Sequence, residues 1–295
     1  MRFSAVFLLV LAAAAAPAAR AQTPNEAASA AERAEARVRS GDAEGAVEIA
    51  ESALRDAPDD AALWRVLGEA YGARARTAPL LSRFRFAKKC REAFEKAVAL
   101  APADVDARAA LFTYYLEAPR IAGGGARRAR EQADAMVRLD PARGHAALGA
   151  LEAREQDFPR AEAEYRLALE ANPKSSEARA GLGDLFVEQG RFEEARRAWL
   201  ELAEDPDFGP IARFQLGTIA RLSGTGLEDG IEQMKRYLAS PPPPEAPTWA
   251  DAQWTLALLY EKAGRRAEAV SALRDALRLD PDHSDAKKEL RRLGE

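Results

Sequence analysis

Histidine, cysteine and methionine are scarce in this chain of 295 residues, which has two histidines, one cysteine and three methionines. Neither His145 nor His283 has metal-ligand spacing around it, so both are interpreted as structural or surface residues and no metal site is predicted. The single cysteine, Cys90, cannot form an internal disulfide, and stability must therefore come from packing. We interpret it as a buried small hydrophobe rather than a nucleophile.

Motifs for catalysis and nucleotide binding are also missing. The chain has no hydrolase nucleophile elbow, no phosphate-binding loop and no paired-histidine motif. An enzyme needs several groups that converge with matched roles, so we predict no catalytic residues, no cofactor and no enzymatic activity. The formal net charge of −4 argues against nucleic acid as a partner, because neutralising phosphates takes a basic face.

Residues 1–21 have the features of a secretory signal peptide. Arg2 supplies a positive start, residues 7–16 are apolar, and Ala19-Arg20-Ala21 is a small-x-small cleavage site. An uncleaved anchor is the alternative, but the apolar run is shorter than the roughly 20 residues that a bilayer span needs. We therefore expect a soluble periplasmic or secreted protein whose mature chain starts near Gln22.

The remaining composition, with 31% charged, 47% apolar and 7% aromatic residues, suits amphipathic helices. A helix-ending proline repeatedly follows an alanine by five positions, and another small residue precedes that alanine by seven. Residues seven apart share one helix face, where small side chains let a neighbouring helix approach closely. The triplets are Ala46, Ala53 and Pro58; Cys90, Ala97 and Pro102; Ala161, Ala168 and Pro173; and Ala269, Ala276 and Pro281.

Upstream of these segments, partner helices repeat a large-apolar, small, aromatic spacing. It is seen in Leu67-Gly68 with Tyr71, Leu182-Gly183 with Phe186, and Leu256-Ala257 with Tyr260, and turns between helices contain Gly41, Gly190 and Gly264. Over residues 26–283 this pattern resembles the tetratricopeptide repeat, a helix-turn-helix unit of about 34 residues. The resemblance implies an all-α fold, an α-α superhelix or solenoid of about six to seven such units with a C-terminal capping helix.

The expected organisation follows from that resemblance. The signal peptide (1–21) precedes an array of six repeats (22–241), a proline-rich spacer (241–247), and the last repeat with the capping helix (248–295). The repeats are placed near 26–59, 60–103, 104–141, 142–174, 175–207, 208–241 and 248–281. The alternative for the proline tract is a ligand for an aromatic-lined groove.

Two repeats carry insertions, near 74–86 and 116–125, and the pair resembles a subgroup of exported bacterial tetratricopeptide proteins. Leu80, Phe84, Ala87 and Cys90 are expected to continue the apolar face of the following helix, which leaves Phe86 off that face. In the second insertion, Gly123-Gly124-Gly125 is expected to form a turn, with a backbone anion site as the alternative.

Residues 74–91, here called the basic stretch, contain seven cations and no acid. These cations either face carboxylates of a neighbouring repeat or contact an acidic partner or lipid headgroups. They are Arg74, Arg76, Arg83, Arg85, Lys88, Lys89 and Arg91.

The resemblance further implies that the first helix of each pair lines a concave groove that binds partners. Phe214, Arg221 and Trp254 are the predicted anchors, because aromatic and arginine side chains often dominate binding energy. The alternative for the two aromatic residues is packing between repeats. The full set of predicted groove residues is Arg65, Glu69, Tyr114, Arg143, Glu177, Asp184, Phe214, Arg221 and Trp254.

These observations predict a non-enzymatic scaffold or adaptor that binds a peptide or partner helix in its groove. The alternative is an envelope-assembly factor that touches anionic lipid or polysaccharide through the basic stretch. The lysine and asparagine arrangement with which some tetratricopeptide proteins hold a terminal carboxylate is absent from the first helices, so that activity is not carried over.

Overall fold

A computed structural model of the chain describes residues 29–243 and 246–294. The predicted signal peptide lies outside the described residues, as does part of the proline tract. The described residues form fifteen α-helices and one short 3-10 helix, and they contain no β-strand. They divide into two compact units, unit 1 ending at Ser175 and unit 2 beginning at Ser176.

Unit 1 consists of four antiparallel helix pairs in which each helix packs against the next along the chain. The short 3-10 helix, Arg120–Ala122, lies between the two helices of the third pair. The helices are α1 (Ala30–Arg39), α2 (Ala43–Asp56), α3 (Ala61–Thr77), α4 (Leu80–Leu100), α5 (Val105–Glu117), α6 (Ala126–Leu139), α7 (Pro141–Arg154) and α8 (Phe158–Ala171).

Unit 2 has three helix pairs and a final single helix. The helices are α9 (Ser176–Glu188), α10 (Phe192–Leu200), α11 (Gly209–Ser223), α12 (Leu227–Leu238), α13 (Trp249–Lys262), α14 (Arg266–Leu279) and α15 (Ser284–Arg292). The last helix packs against α14 and corresponds to the predicted cap. The all-α, helical-repeat fold class is thus confirmed, with the predicted pairs in the predicted order.

Local sequence explains where these helices begin and how the pairs turn. Asp42, Asp60 and Asp104 each precede a helix and accept a hydrogen bond from a backbone N–H of its first turn, which satisfies a donor that the helix leaves free. Gly190 and Gly264 adopt φ angles of +70° and +75° in the turns of unit 2. Glycine takes this left-handed conformation without the strain that a side chain would add.

Within four of the pairs, α3–α4, α7–α8, α9–α10 and α11–α12, a glycine on the first helix lies against a large side chain of the second. A Cβ atom placed on Gly183 would lie 2.4 Å from Nε1 of Trp199, and one on Gly149 would lie 2.7 Å from Cδ1 of Tyr165. Trp199 is fully buried. The close approach inferred from the small-residue spacing is therefore real, and it leaves no room for larger side chains.

The predicted apolar face at the start of α4 was wrong in one respect. Phe84 is 44% exposed, whereas Phe86 is only 8% exposed. The buried face of this helix continues from Phe86 through Cys90 to Phe94 in steps of four residues, which keeps them on one side. Phe84 lies six residues before Cys90 and therefore points away from that side.

The second insertion is held by backbone hydrogen bonds. The N–H groups of Gly123, Gly124 and Gly125 donate to the carbonyl oxygens of Arg120, Pro119 and Tyr115, respectively. Gly123 has a φ angle of +93°, which favours glycine. These three N–H groups are already bonded, so they support the expected turn and are not themselves available to an anion.

Candidate functional site

In unit 1, the predicted groove residue Arg65 joins two carboxylates. Its guanidinium pairs with Glu35 of α1 and, at 2.5 Å, with Glu69 on the next turn of α3. Burial raises the pKa of Glu69, and the neighbouring Arg65 guanidinium opposes that rise. Arg65 and Glu69 are therefore committed to contacts within unit 1.

The other predicted groove residues of unit 1 also have partners inside it. Arg143 of α7 pairs with Asp106 of α5, with 2.7 Å between Nη1 and Oδ1. Tyr114 is buried, and its hydroxyl donates to the carbonyl oxygen of Ala122, 2.7 Å away. This hydrogen bond ties α5 to the second insertion.

Four cations of the basic stretch lie within ion-pair distance of carboxylates. The pairs are Arg74 with Glu44 (3.3 Å), Lys89 with Glu51 (3.6 Å), Lys88 with Glu92 (3.7 Å) and Arg91 with Glu95 (3.6 Å). Glu44 and Glu51 belong to α2, which agrees with the interpretation that a neighbouring repeat supplies the acids. Exposed ion pairs of this kind contribute little stability.

The rest of the basic stretch is more open. Arg76, Arg83 and Arg85 are exposed. Within the described ranges, neither Arg83 nor Arg85 has a carboxylate partner, and Arg85 lies over the ring of Phe86, 5.2 Å from its centroid. In the adjacent insertion, Ile121 is 83% exposed.

Cys90 is 3% exposed, and burial raises the pKa of its thiol to about 12. Such a thiol is unreactive at neutral pH, as expected for a packing residue. His145 contacts a carboxylate instead of a metal ligand set, with 2.7 Å between its Nδ1 and Oε2 of Glu164. Residues 29–243 and 246–294 contain no group of three or more His, Cys, Asp or Glu placed to hold a metal ion.

In unit 2, the predicted groove residue Asp184 is buried between α9 and α11. Its Oδ1 accepts a hydrogen bond of 2.8 Å from Nε2 of Gln215. The pKa of Asp184 is raised to about 8, mainly by burial and also by the nearby Glu188, while the hydrogen bond from Gln215 opposes the rise. Glu177, on the first turn of the same helix, is half-buried.

The three predicted anchors lie on α11 and α13, and the structure brings two of them together. The guanidinium of Arg221 lies over the ring of Trp254, 5.8 Å from its centroid. Phe214 instead meets Tyr237 edge-on, with ring centroids 5.5 Å apart. Phe214 and Trp254 are half-buried and pack against the core of unit 2, so part of each side chain serves the packing that was the alternative interpretation.

Arg221 differs from the other half-buried arginines of unit 2, because it has neither an ion pair nor a hydrogen bond with any described residue. Its Nε is buried without a partner, and burial lowers its pKa. The arginines that do pair with carboxylates are Arg179 with Glu201, Arg191 with Glu194, Arg196 with Asp229, Arg213 with Glu204 and Arg265 with Glu228.

Two more hydrogen-bond donors belong to Trp254, which Arg221 contacts, and to His283, which contacts Trp254. Nε1 of Trp254 is buried without a hydrogen-bond partner among the described residues. The ring of His283 lies 5.9 Å from the ring of Trp254, and its Nδ1 accepts the N–H of Ala286 at 3.2 Å. A neutral His283 therefore carries its proton on Nε2, which is also buried and has no hydrogen bond with a described residue.

His283 was missed as a neighbour of the predicted anchors. Its place two residues after Pro281, where α15 begins, was the available signal. Residues at that position accept hydrogen bonds from the first turn of a helix, and His283 does so. Nothing in the spacing showed that its ring would meet Trp254, which is 29 positions earlier.

In the described part of the chain, no helix has both the length and the apolar character needed to cross a membrane. Three family models described as tetratricopeptide repeat match the sequence. The matched residues are 147–210 and 180–247 for one model, 250–283 for the second and 27–70 for the third. Together they cover more than half of the chain.

Cellulose synthase operon protein C of Xanthomonas axonopodis pv. citri (strain 306) is 32% identical to this chain over 163 residues. That stretch is 55% of this chain, and it spans only 11% of the length of the relative. The similarity thus concerns a small part of a much longer protein.

Solved structures with the same fold include the APC/C hetero-tetramer Cut9-Hcn1, with a TM-score of 0.63 and 16% identity. The match covers 90% of this chain and 48% of that one. A tetratricopeptide repeat protein from Parabacteroides merdae matches with a TM-score of 0.54 and 15% identity, over 90% of this chain and 98% of that one. From the matched repeats and the observed helix pairs, this chain belongs to the tetratricopeptide-repeat family, whose fold serves as a scaffold for protein-protein interaction.

Proposed function

We propose that the protein is a non-enzymatic scaffold that binds an extended segment of another protein along the first helices of unit 2. The observation that carries the proposal is the guanidinium of Arg221, which lies over the ring of Trp254 and has no ion pair or hydrogen bond with any described residue. Phe214, two helical turns before Arg221 on α11, extends the same helix face. A segment with apolar and acidic residues would complement this surface.

The charge of Arg221 is costly to bury. A buried charge normally has an ionic or hydrogen-bonded partner, because removing it from water is unfavourable. Arg221 is half-buried with no such partner among the described residues. Arginine and tryptophan are also the types that most often dominate the binding energy of protein interfaces. These properties favour a surface completed by a partner.

The predicted groove residues of unit 1 receive a lesser role in this proposal. Arg65, Glu69 and Arg143 already form ion pairs, so a partner would have to exchange an existing contact to use them. Tyr114 of unit 1 is buried, as is Asp184 of unit 2, and both would act by supporting their neighbours. The proposal therefore places the main anchors in unit 2.

Site-specific photo-crosslinking in the native envelope tests this proposal. p-Benzoyl-phenylalanine would replace Phe214, with replacement of Leu200 as the matched control. Leu200 is 48% exposed on α10, the second helix of its pair. We expect protein adducts from position 214 and few from position 200, and we expect Arg221→Glu to remove the adducts. Equal adducts from both positions would contradict the proposal.

Export is part of the proposal, and the charged start, apolar run and cleavage site within residues 1–21 support it. Cell fractionation followed by N-terminal sequencing would test it. We expect a chain that begins near Gln22 in the periplasmic or secreted fraction. A chain that retains Met1 in the cytoplasm would contradict this part.

A second proposal concerns unit 1, where the basic stretch contacts anionic lipid. The exposed Ile121 and Phe84 favour lipid over polysaccharide, because apolar side chains beside cations suit a membrane interface. Arg83 and Arg85, which have no carboxylate partner among the described residues, would face the headgroups. Flotation with phosphatidylglycerol vesicles is expected at low salt and not for Arg83→Glu/Arg85→Glu. Flotation equal to that with neutral vesicles would refute the proposal.

A further inference from the structure

We propose that residues 119–125, here called the anchor loop, insert the side chain of Ile121 into the acyl region of an anionic bilayer. This role rests on the lipid contact proposed for the basic stretch, and it adds a second segment that acts in a different way. The basic stretch would supply charge to the headgroups, whereas the anchor loop would supply an apolar contact below them.

Ile121 is the most exposed of the large apolar side chains in the described part of the chain. It is 83% exposed, whereas the others that are exposed lie between 37% and 48%. Covering an isoleucine with other apolar groups is favourable, because its surface leaves water. Single apolar residues are nevertheless common on protein surfaces, so the backbone and the charges around Ile121 decide what covers it.

The backbone next to Ile121 is fixed by contacts with the end of α5. The carbonyl oxygen of Ala122 accepts a hydrogen bond of 2.7 Å from the hydroxyl of Tyr114. A Cβ atom placed on Gly124 would lie 1.7 Å from the carbonyl oxygen of Ala118, so the loop packs closely on the residue that follows the helix. An ordered loop loses little conformational freedom when it binds, which makes Ile121 a preorganised contact.

The anchor loop also contacts α4, the helix that contains most of the basic stretch. Arg91 packs against Gly123 so closely that a Cβ atom there would overlap its Nη1. Phe84, which is 44% exposed, lies seven residues before Arg91, and residues at this spacing share one side of a helix. The exposed Phe84 therefore lies on the side of α4 that meets the anchor loop.

Cations without a carboxylate partner are adjacent to both apolar side chains. Arg120 precedes Ile121, and Arg83 and Arg85 flank Phe84. All three arginines are exposed, and none has an ion pair with a described residue. Positive charge spread over two segments complements the extended negative surface of an anionic bilayer, and apolar side chains between the charges suit its interface.

A fluorescent dye at position 121 tests the insertion. Cys90 is buried, so Ile121→Cys in the full mature protein can be labelled selectively with the environment-sensitive dye NBD. With phosphatidylglycerol vesicles at low salt, we expect a blue shift of its emission and quenching by lipids brominated in their acyl chains. Leu139→Cys is the matched control, because Leu139 is 42% exposed on α6, outside both insertions, and its dye should show neither change.

Flotation of unlabelled variants measures what the side chain contributes. Ile121→Asn should weaken binding to phosphatidylglycerol vesicles about tenfold, because it removes the apolar contact and leaves every cation in place. Leu139→Asn should bind as the parent protein does. Equal binding by Ile121→Asn and the parent protein would overturn the anchor loop.

Two further results would separate the anchor loop from the lipid contact of the basic stretch. If the vesicles bind in a manner that depends on Arg83 and Arg85 but the dye at position 121 does not respond, the lipid contact stands and the anchor loop is refuted. If the parent protein binds no vesicles, both are refuted. A blue shift that needs no vesicles and grows with protein concentration would identify a second copy of the chain as the occupant and would also overturn the insertion.

Discussion

The arginines predicted to bind a partner have different surroundings in unit 1 and unit 2. In unit 1, Arg65 pairs with Glu35 and Glu69, and Arg143 pairs with Asp106. In unit 2, Arg221 lies over Trp254 without a hydrogen bond or ion pair to any described residue. The predicted groove residues thus include arginines whose ion pairs connect repeats and, in Arg221, an arginine that has no ion pair with any described residue.

This contrast separates two roles that family membership alone does not separate. An arginine on a first helix can connect successive repeats, as Arg65 connects α3 to α1, or it can remain available to another molecule. Removing a partner from a buried ion pair leaves an uncompensated charge and is destabilising, while removing an unpaired cation is not. Stability measurements on matched variants therefore distinguish the two roles directly.

The largest effect is expected from a substitution at Gly183, which should unfold unit 2 and leave unit 1 folded. Gly183→Val places a Cβ atom 2.4 Å from Nε1 of Trp199, which is fully buried and cannot move aside. Overpacking of this kind should cost about 3 kcal/mol. Because helical repeats contact mainly their neighbours, unit 2 should unfold separately.

Hydrogen exchange measured by mass spectrometry would follow this change. We expect protection to fall in α9 to α12 and to remain in α3 to α8. An exchange pattern identical to that of the parent protein would show that the α9–α10 contact tolerates a side chain at position 183.

Much of this architecture could be predicted from the sequence. The spacing of small residues and prolines placed seven helix pairs and a cap, and it placed Gly183 at a helix contact. These features depend on local periodicity, which a single sequence displays. The exposed position of Phe84 was missed, because an inserted segment has no repeat register with which to compare it.

The division after Ser175 and the environment of Arg221 were not predictable in the same way. Asp184 is hydrogen-bonded to Gln215, 31 positions later in the sequence, and the ring of His283 contacts that of Trp254, 29 positions earlier. Such long-range contacts depend on how successive helix pairs pack, and the helical periodicity within one pair does not determine them. Whether a cation on a first helix is paired is a property of that packing.

The titration of Asp184 should make the stability of unit 2 depend on pH. Its pKa is raised, mainly by burial, from the usual range of an aspartate to about 8, so the folded protein holds this proton more tightly than the unfolded chain. The stability from this group is complete below the unfolded pKa and is lost as pH rises towards 8. The free energy of unfolding should therefore fall by up to about 1.4 kcal/mol per pH unit from this group.

Asp184→Asn removes that titration and keeps a side chain that can bond to Gln215. Urea unfolding at pH 6, 7 and 8 should show the variant gaining stability relative to the parent as pH rises. A constant difference between the two proteins across this range would mean that Asp184 is already ionised in the fold.

A smaller loss is expected when the ion pairs of unit 1 are broken. Arg65→Met removes the cation between Glu35 and Glu69 and leaves two carboxylates facing each other. Since these side chains are partly exposed, we expect a loss of about 2 kcal/mol, below that for a fully buried pair. Urea unfolding at pH 7 measures it, and Glu35→Gln in the Arg65→Met background should recover part of the loss.

Urea unfolding of Arg221→Met at pH 7 tests most directly whether Arg221 is held for a partner. If Arg221 is held for a partner, it contributes no ion pair with a described residue, and replacing it with methionine, which keeps an unbranched apolar stem, should change the free energy of unfolding by less than about 0.5 kcal/mol. The predicted result is a clear loss for Arg65→Met beside no loss, or a small gain, for Arg221→Met. A loss for Arg221→Met as large as that for Arg65→Met would show that Arg221 serves the fold, and it would contradict the central claim.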